Sequence, residues 1–192
     1  MYVINIIQLV LYFILLFLCA ITDYKYGKIY NKYMIRFLII YICLYIFEFM
    51  IILTNQKENI NLFYERVVDQ VIGFVIGFII CFILYLLSVF KAGDAKLLSI
   101  VALVSGKKNL LLNFSTIFIV SGFFALAILI NNKIFRERLN RVFLYFKTMI
   151  LTRKFDKYEP LETDNIKFPL AIYILIGEIL VYVYYCINIY KK

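Results

Sequence analysis

Three blocks of the chain, Tyr2 to Ile21, Phe37 to Leu53 and Val71 to Phe90, carry a single charged residue, Glu48, between them. Each approaches the roughly 20 apolar residues that a helix needs to cross the hydrocarbon of a bilayer. Of the 192 residues 65% are hydrophobic and the mean hydropathy is +0.90, whereas about half the residues of a soluble domain are apolar and about a quarter charged. That excess is too large for one water-soluble core. The expected fold is therefore all-α, a polytopic membrane bundle of about six helices forming one domain over residues 1–192. The apolar periodicity places the helices at about 2–22, 33–54, 67–90, 95–106, 110–130 and 168–189. The fourth is short, and it either crosses part of the bilayer or extends past Gly106 with Lys107 and Lys108 snorkelling to the interface.

The first block has no Lys or Arg ahead of it, and its apolar run exceeds the roughly 7–15 residues of a signal-peptide core, so it is expected to be a retained helix. Cys19, Cys43, Cys81 and Cys186 stand singly inside apolar blocks, a pattern that supports neither a zinc site nor a disulfide framework. The sequence has no histidine, which excludes Ser-His and Cys-His nucleophilic catalysis and imidazole metal sites within this chain. No metal and no cofactor is expected.

The net charge of +9 is spread between the apolar blocks rather than along one soluble face. It fits anionic lipid headgroups and gives no support to a nucleic-acid partner. Of the 21 Lys and Arg, only Lys57, Arg66, Lys107, Lys108, Lys191 and Lys192 fall on one side of the expected topology. The other fifteen, including Lys25, Lys28, Lys32, Arg36, Lys91, Lys96 and the cluster over 131–167, fall on the opposite side. By the positive-inside rule that side is cytoplasmic and both termini lie outside the cytoplasmic membrane. In the 131–167 stretch, Phe135, Leu139, Val142, Phe143 and Phe146 recur at helical spacing opposite Arg136, Arg138, Arg141 and Lys147. This pattern suits a helix lying on the inner leaflet or a connecting helix packed on the bundle. Residues 156–165 read as a hinge into the last helix.

Twelve acidic residues are few enough to sort individually. Glu58, Glu65, Glu137, Asp156, Glu159, Glu162 and Asp164 are expected in loops. Glu48 and Asp69 sit near outer helix ends, where they can reach headgroups or each other. Glu178 stands in mid-helix, where an acid is expensive; structural support within the bundle is the expected role. Asp23 and Asp94 each follow a long apolar run and share one depth, just inside the cytoplasmic boundary. On position alone, helix capping or pairing with a nearby lysine competes with any chemical role. Brought together, though, two carboxyl groups can share one proton, one acting as general base on water while the other polarises a carbonyl. Gly93 before Asp94 allows a close backbone approach there.

The segments around these aspartates carry a further pattern. Asp23 leads to Ile29-Tyr30-Asn31, and Gly93-Asp94-Ala95-Lys96-Leu97 follows later; near the end comes Lys167-Phe-Pro-Leu-Ala. They resemble the type IV prepilin peptidases, the GxGD group of intramembrane aspartyl proteases. There the first aspartate precedes an Ile-Pro-Asn-like element and the second belongs to Gly-x-Gly-Asp-x-Lys-Leu. Here Lys91 replaces the first glycine of the second motif and Tyr30 the proline of the first. The resemblance implies a peptidase-only membrane endopeptidase with Asp23 and Asp94 as catalytic residues, supported by Asn31, Gly93 and Lys96. It implies prepilin-like substrates cut at a basic leader on the cytoplasmic face. Competing readings are a small transport component, such as the substrate-capturing subunit of an importer, and a non-catalytic assembly factor; only the peptidase needs both aspartates. Gly73 and Gly77, spaced for close helix approach, suit internal packing ahead of substrate docking. The oligomeric state cannot be read from the sequence.

Overall fold

The computed structural model describes residues 2–54, 60–87, 89–131, 144 and 169–190. Among them the regular structure is all helical: α1 (Tyr2–Tyr26), α2 (Asn31–Thr54), α3 (Ile60–Leu86), α4 (Ala92–Asn131) and α5 (Leu170–Tyr190). All five are long and apolar enough to cross a membrane, so the chain is a multi-pass membrane protein. Clustering of the chain gives two compact units, 1–120 with 169–192, and 121–168. In the second, residues 121–131 are helical and Leu144 is helical and exposed. The rest of the expected interfacial helix, and the hinge at 156–165, lie outside the described residues.

Five elements match six expected helices because α4 holds two of them. Gly106 interrupts it at φ 70°, ψ 170°, a conformation essentially confined to glycine. Ala102 before the break and Phe114 after it both reach Gly77: a Cβ built there would lie 2.2 Å from the Ala102 Cβ and 3.5 Å from the Phe114 ring. The Phe118 ring centroid is 6.1 Å from that of Phe90, two residues ahead of the first arm. The chain therefore doubles back at Gly106. At about 1.5 Å per residue the first arm, 92–105, rises only about 21 Å, less than the roughly 30 Å of a hydrocarbon core. It is a partial crossing.

α1 packs against α5 and α2. Tyr12, Leu16 and Cys19 of α1, Leu97, Leu98 and Val101 of α4, and Ala171 and Ile174 of α5 are buried in this core. Ile6, Val10, Ile14 and Phe17 on α1, like Ile79, Phe82, Ile83 and Leu86 on α3, are exposed; apolar faces of this extent suit lipid rather than water. Gly73 and Gly77 serve internal packing. A Cβ on Gly73 would meet the Gly106 carbonyl carbon at 2.7 Å, so small residues here let two backbones touch.

The third helix begins at Ile60, earlier than position 67, because its polar first turns are neutralised by neighbours. Arg66 forms an ion pair with Glu48 and donates to Asn5 Oδ1 at 2.6 Å. Its guanidinium lies 5.6 Å from the Tyr45 ring centroid and 5.7 Å from that of Phe63. Gln70 Oε1 accepts from the Tyr41 hydroxyl at 3.3 Å and from that of Tyr45. Three expectations change accordingly. Glu65 lies on a helix rather than in a loop, Glu48 pairs with Arg66 rather than with Asp69, and the Asp69 carboxylate rests against Gly106. The sequence pattern treated Arg66 as a loop charge because its partner lies on another helix.

Candidate active site

α1 ends through its own sequence. Gly27 takes φ 63°, and its N–H donates to the Asp23 carbonyl at 2.7 Å, the left-handed helix cap that glycine adopts without a Cβ penalty. Nothing lies within 4 Å of the Gly27 Cβ position, so conformation, not space, favours glycine there. This cap puts Asp23 in the last turn of α1. Its carboxylate is buried, 6% exposed, and its Oδ2 accepts the main-chain N–H of Ala171 at 3.1 Å. Ala171 belongs to the first turn of α5, whose N–H groups lack partners within the helix.

Asp94 occupies the first turn of α4, which the bond from Ala95 N–H to the Lys91 carbonyl closes at 3.1 Å. The Lys91 main chain lies beside its carboxyl. At 8% exposure it is as buried as Asp23. The Asp23 charge bears on the Asp94 carboxyl, and the Lys91 charge bears on both. Lys91, a departure from the motif the sequence resembles, thus places a positive charge beside both carboxyls.

The other residues singled out in the two motifs meet across the same end of the bundle. Gly93 packs on Ile29: a Cβ there would stand 3.2 Å from the Ile29 Cβ. The Lys96 ammonium donates to Asn31 Oδ1 at 3.3 Å. Asp23, Asn31, Gly93, Asp94 and Lys96 therefore gather where α1 ends and α2 and α4 begin, with Ala171 in the first turn of α5 beside Asp23. Glu178 is elsewhere, seven residues further along α5, about 10 Å by helical rise. The contact that sequence reasoning missed is Ala171, which reaches the site through its backbone and so leaves no side-chain signature.

Such an arrangement offers two buried carboxyls, one of them held by a main-chain donor, with a lysine charge beside them. It can move a proton between two carboxyl oxygens and a bound water. Among the described residues no three His, Cys, Asp or Glu side chains come together as a metal cluster. No curated protein and no solved structure matches the chain. The model describing the type IV leader peptidase family matches residues 10–130, a stretch that includes both aspartates.

Proposed function

This chain belongs to the type IV leader peptidase family, and we propose that it is an aspartyl endopeptidase removing the leader of prepilin-like proteins on the cytoplasmic face of the plasma membrane. The observation that carries the reading is that Asp23 and Asp94, 71 positions apart in sequence, are both buried at the end of the bundle where the Lys96–Asn31 bond and the Gly93–Ile29 contact join their segments, near enough for the Asp23 charge to bear on Asp94.

In the proposed reaction the dyad holds one proton. The ionised carboxylate accepts a proton from water as the water oxygen attacks the scissile carbonyl carbon, and the protonated partner donates to the carbonyl oxygen. The gem-diol intermediate then loses its C–N bond: the dyad proton passes to the departing amine while one hydroxyl of the intermediate gives its proton back to the pair, which leaves a carboxyl product and a dyad with one proton. Burial excludes bulk water and keeps both carboxyls in place, and the Ala171 N–H fixes the orientation of Asp23. The Lys96–Asn31 bond and the Gly93–Ile29 contact hold the two motif segments in register. They are positioning residues in this scheme.

A substrate with a basic leader ahead of an apolar helix would lie beside the bundle with its cleavage point level with the dyad. The basic residues assigned to this side attract anionic headgroups and anchor the chain in the same leaflet. The test is co-expression with a candidate prepilin and measurement of leader loss on a gel. Processing by the wild type and none by Asp23→Asn or Asp94→Asn supports the reading; unprocessed prepilin with abundant wild-type enzyme overturns it.

A further inference from the structure

Glu178, the buried acid that the proposed reaction does not use, lines a cavity of about 300 Å³ between α1, α4 and α5. Tyr12, Ser105, Asn109, Asn113, Tyr182 and Tyr185 share its wall, and among the described residues no Lys or Arg does. Glu178 is 3% exposed, Asn113 4% and Tyr12 0%. The Ser105 hydroxyl is already committed, donating to the Val101 carbonyl at 2.7 Å. Three other oxygens are not: Glu178 Oε1, Asn113 Oδ1 and Tyr12 Oη have no hydrogen-bond partner. Tyr12 approaches the Glu178 carboxylate without closing a well-formed bond to it. A carboxylate held this deep without a counter-charge is costly, and buried polar atoms ordinarily find partners.

We propose that this cavity binds a primary ammonium group. Its three N–H donors match the three unpartnered oxygens, contributed by three separate helical segments. Its positive charge supplies the counter-ion that the lining lacks, and the Tyr182 and Tyr185 rings give it an aromatic wall. Asn109, exposed to the surroundings, marks the way in. A quaternary ammonium has the charge without the donors, and a sodium ion likewise. The bound group comes from a small soluble amine or from the headgroup of an aminophospholipid.

The test uses the full chain in nanodiscs of phosphatidylcholine, which offers no primary amine. Methylammonium chloride is titrated against sodium chloride and tetramethylammonium chloride at equal ionic strength, and the thermal unfolding midpoint is recorded. A ligand that binds only the folded chain raises that midpoint with its concentration. The expected result is a saturable rise with methylammonium alone, absent in Glu178→Gln. Tyr12→Phe, which keeps the ring in the core, should need roughly tenfold more methylammonium for half the effect, as for loss of one hydrogen bond to a charged group. Phosphatidylethanolamine in the disc, if it raises the midpoint and removes the response to methylammonium, identifies the headgroup as source; no change identifies the soluble amine. The proposal is overturned by no saturable rise in the wild type, by an equal rise with sodium or tetramethylammonium, or by an unaltered response in Tyr12→Phe.

Discussion

The main-chain N–H of Ala171 donates to the carboxylate of Asp23, joining positions 148 residues apart. Ala171 lies beyond the 10–130 stretch that matches the family, so the final helix completes a site whose side chains all come from earlier in the chain. Among substitutions at position 171 only proline would remove this donor, so the bond orients Asp23 whatever other side chain stands there.

Asp23→Asn, Asp94→Asn and the double mutant are expected to be about equally inactive, because each step of the proposed reaction needs both carboxyls and losses in such a unit do not add. Asn retains size and hydrogen bonding, so all three should insert and accumulate. Glu178→Gln should retain measurable cleavage. The measurement is leader removal normalised to enzyme in the membrane, and substantial cleavage by either single Asp mutant ends the dyad hypothesis.

Cleavage should survive chelators and serine- or thiol-directed reagents, since the proposed reaction runs on carboxyl oxygens and water. Loss of activity in EDTA that zinc restores would show that a metal performs a step assigned to the dyad.

Gly106→Ala should destabilise the fold by about 1–3 kcal/mol for backbone conformation alone, and further because its Cβ would stand 2.2 Å from Asp69 Oδ2. Gly122→Ala is the control, since nothing lies within 4 Å of its Cβ position and alanine favours a helix. Thermal unfolding in detergent should rank the two variants in that order; equal midpoints would mean that the reversal does not depend on glycine.

Glu48→Ala leaves the Arg66 guanidinium without its carboxylate. A loss of about 2–3 kcal/mol is expected, toward the low end for a buried pair because the Arg66 side chain stays 23% exposed. Glu48→Met with Arg66→Met should recover most of it, and a double-mutant cycle on unfolding free energies gives the coupling. Additive losses would show that the two charges act independently.

Orientation can be read by labelling. A cysteine at Arg141 in intact cells should resist impermeant thiol reagents while one at Asn59 reacts, on a background with the exposed Cys43 and Cys186 replaced by serine. Reaction at Arg141 from outside would invert the charge-based topology and carry both aspartates away from the cytoplasm.

Much of this architecture was legible because a bilayer leaves a coarse signature: runs of apolar residues gave the helices, and the gap between 106 and 110 marked the reversal at Gly106. Asp23 and Asp94 stood out because they share one depth and because the segments around them carry recognisable motifs. What escaped were contacts between helices. Glu48 and Arg66 are eighteen positions apart and on different elements, so no local periodicity couples them, and polar residues around Arg66 imitated a loop. Ala171 has no functional group to notice. The partnerless oxygens around Glu178 are likewise visible only once α1, α4 and α5 are assembled.

The connector between α1 and α2, four residues from Gly27 to Tyr30, acts as a spacer of fixed gauge. At one side of it Asp23 is fastened to α5; at the other, Ile29 and Asn31 are fastened to Gly93 and Lys96 on α4. A chain segment tied at both ends cannot absorb an extra residue by bulging outward, because its contacts with α4 would fall out of phase. Length variation, which surface connections usually tolerate, should be refused here even where substitutions within the same four residues are accepted.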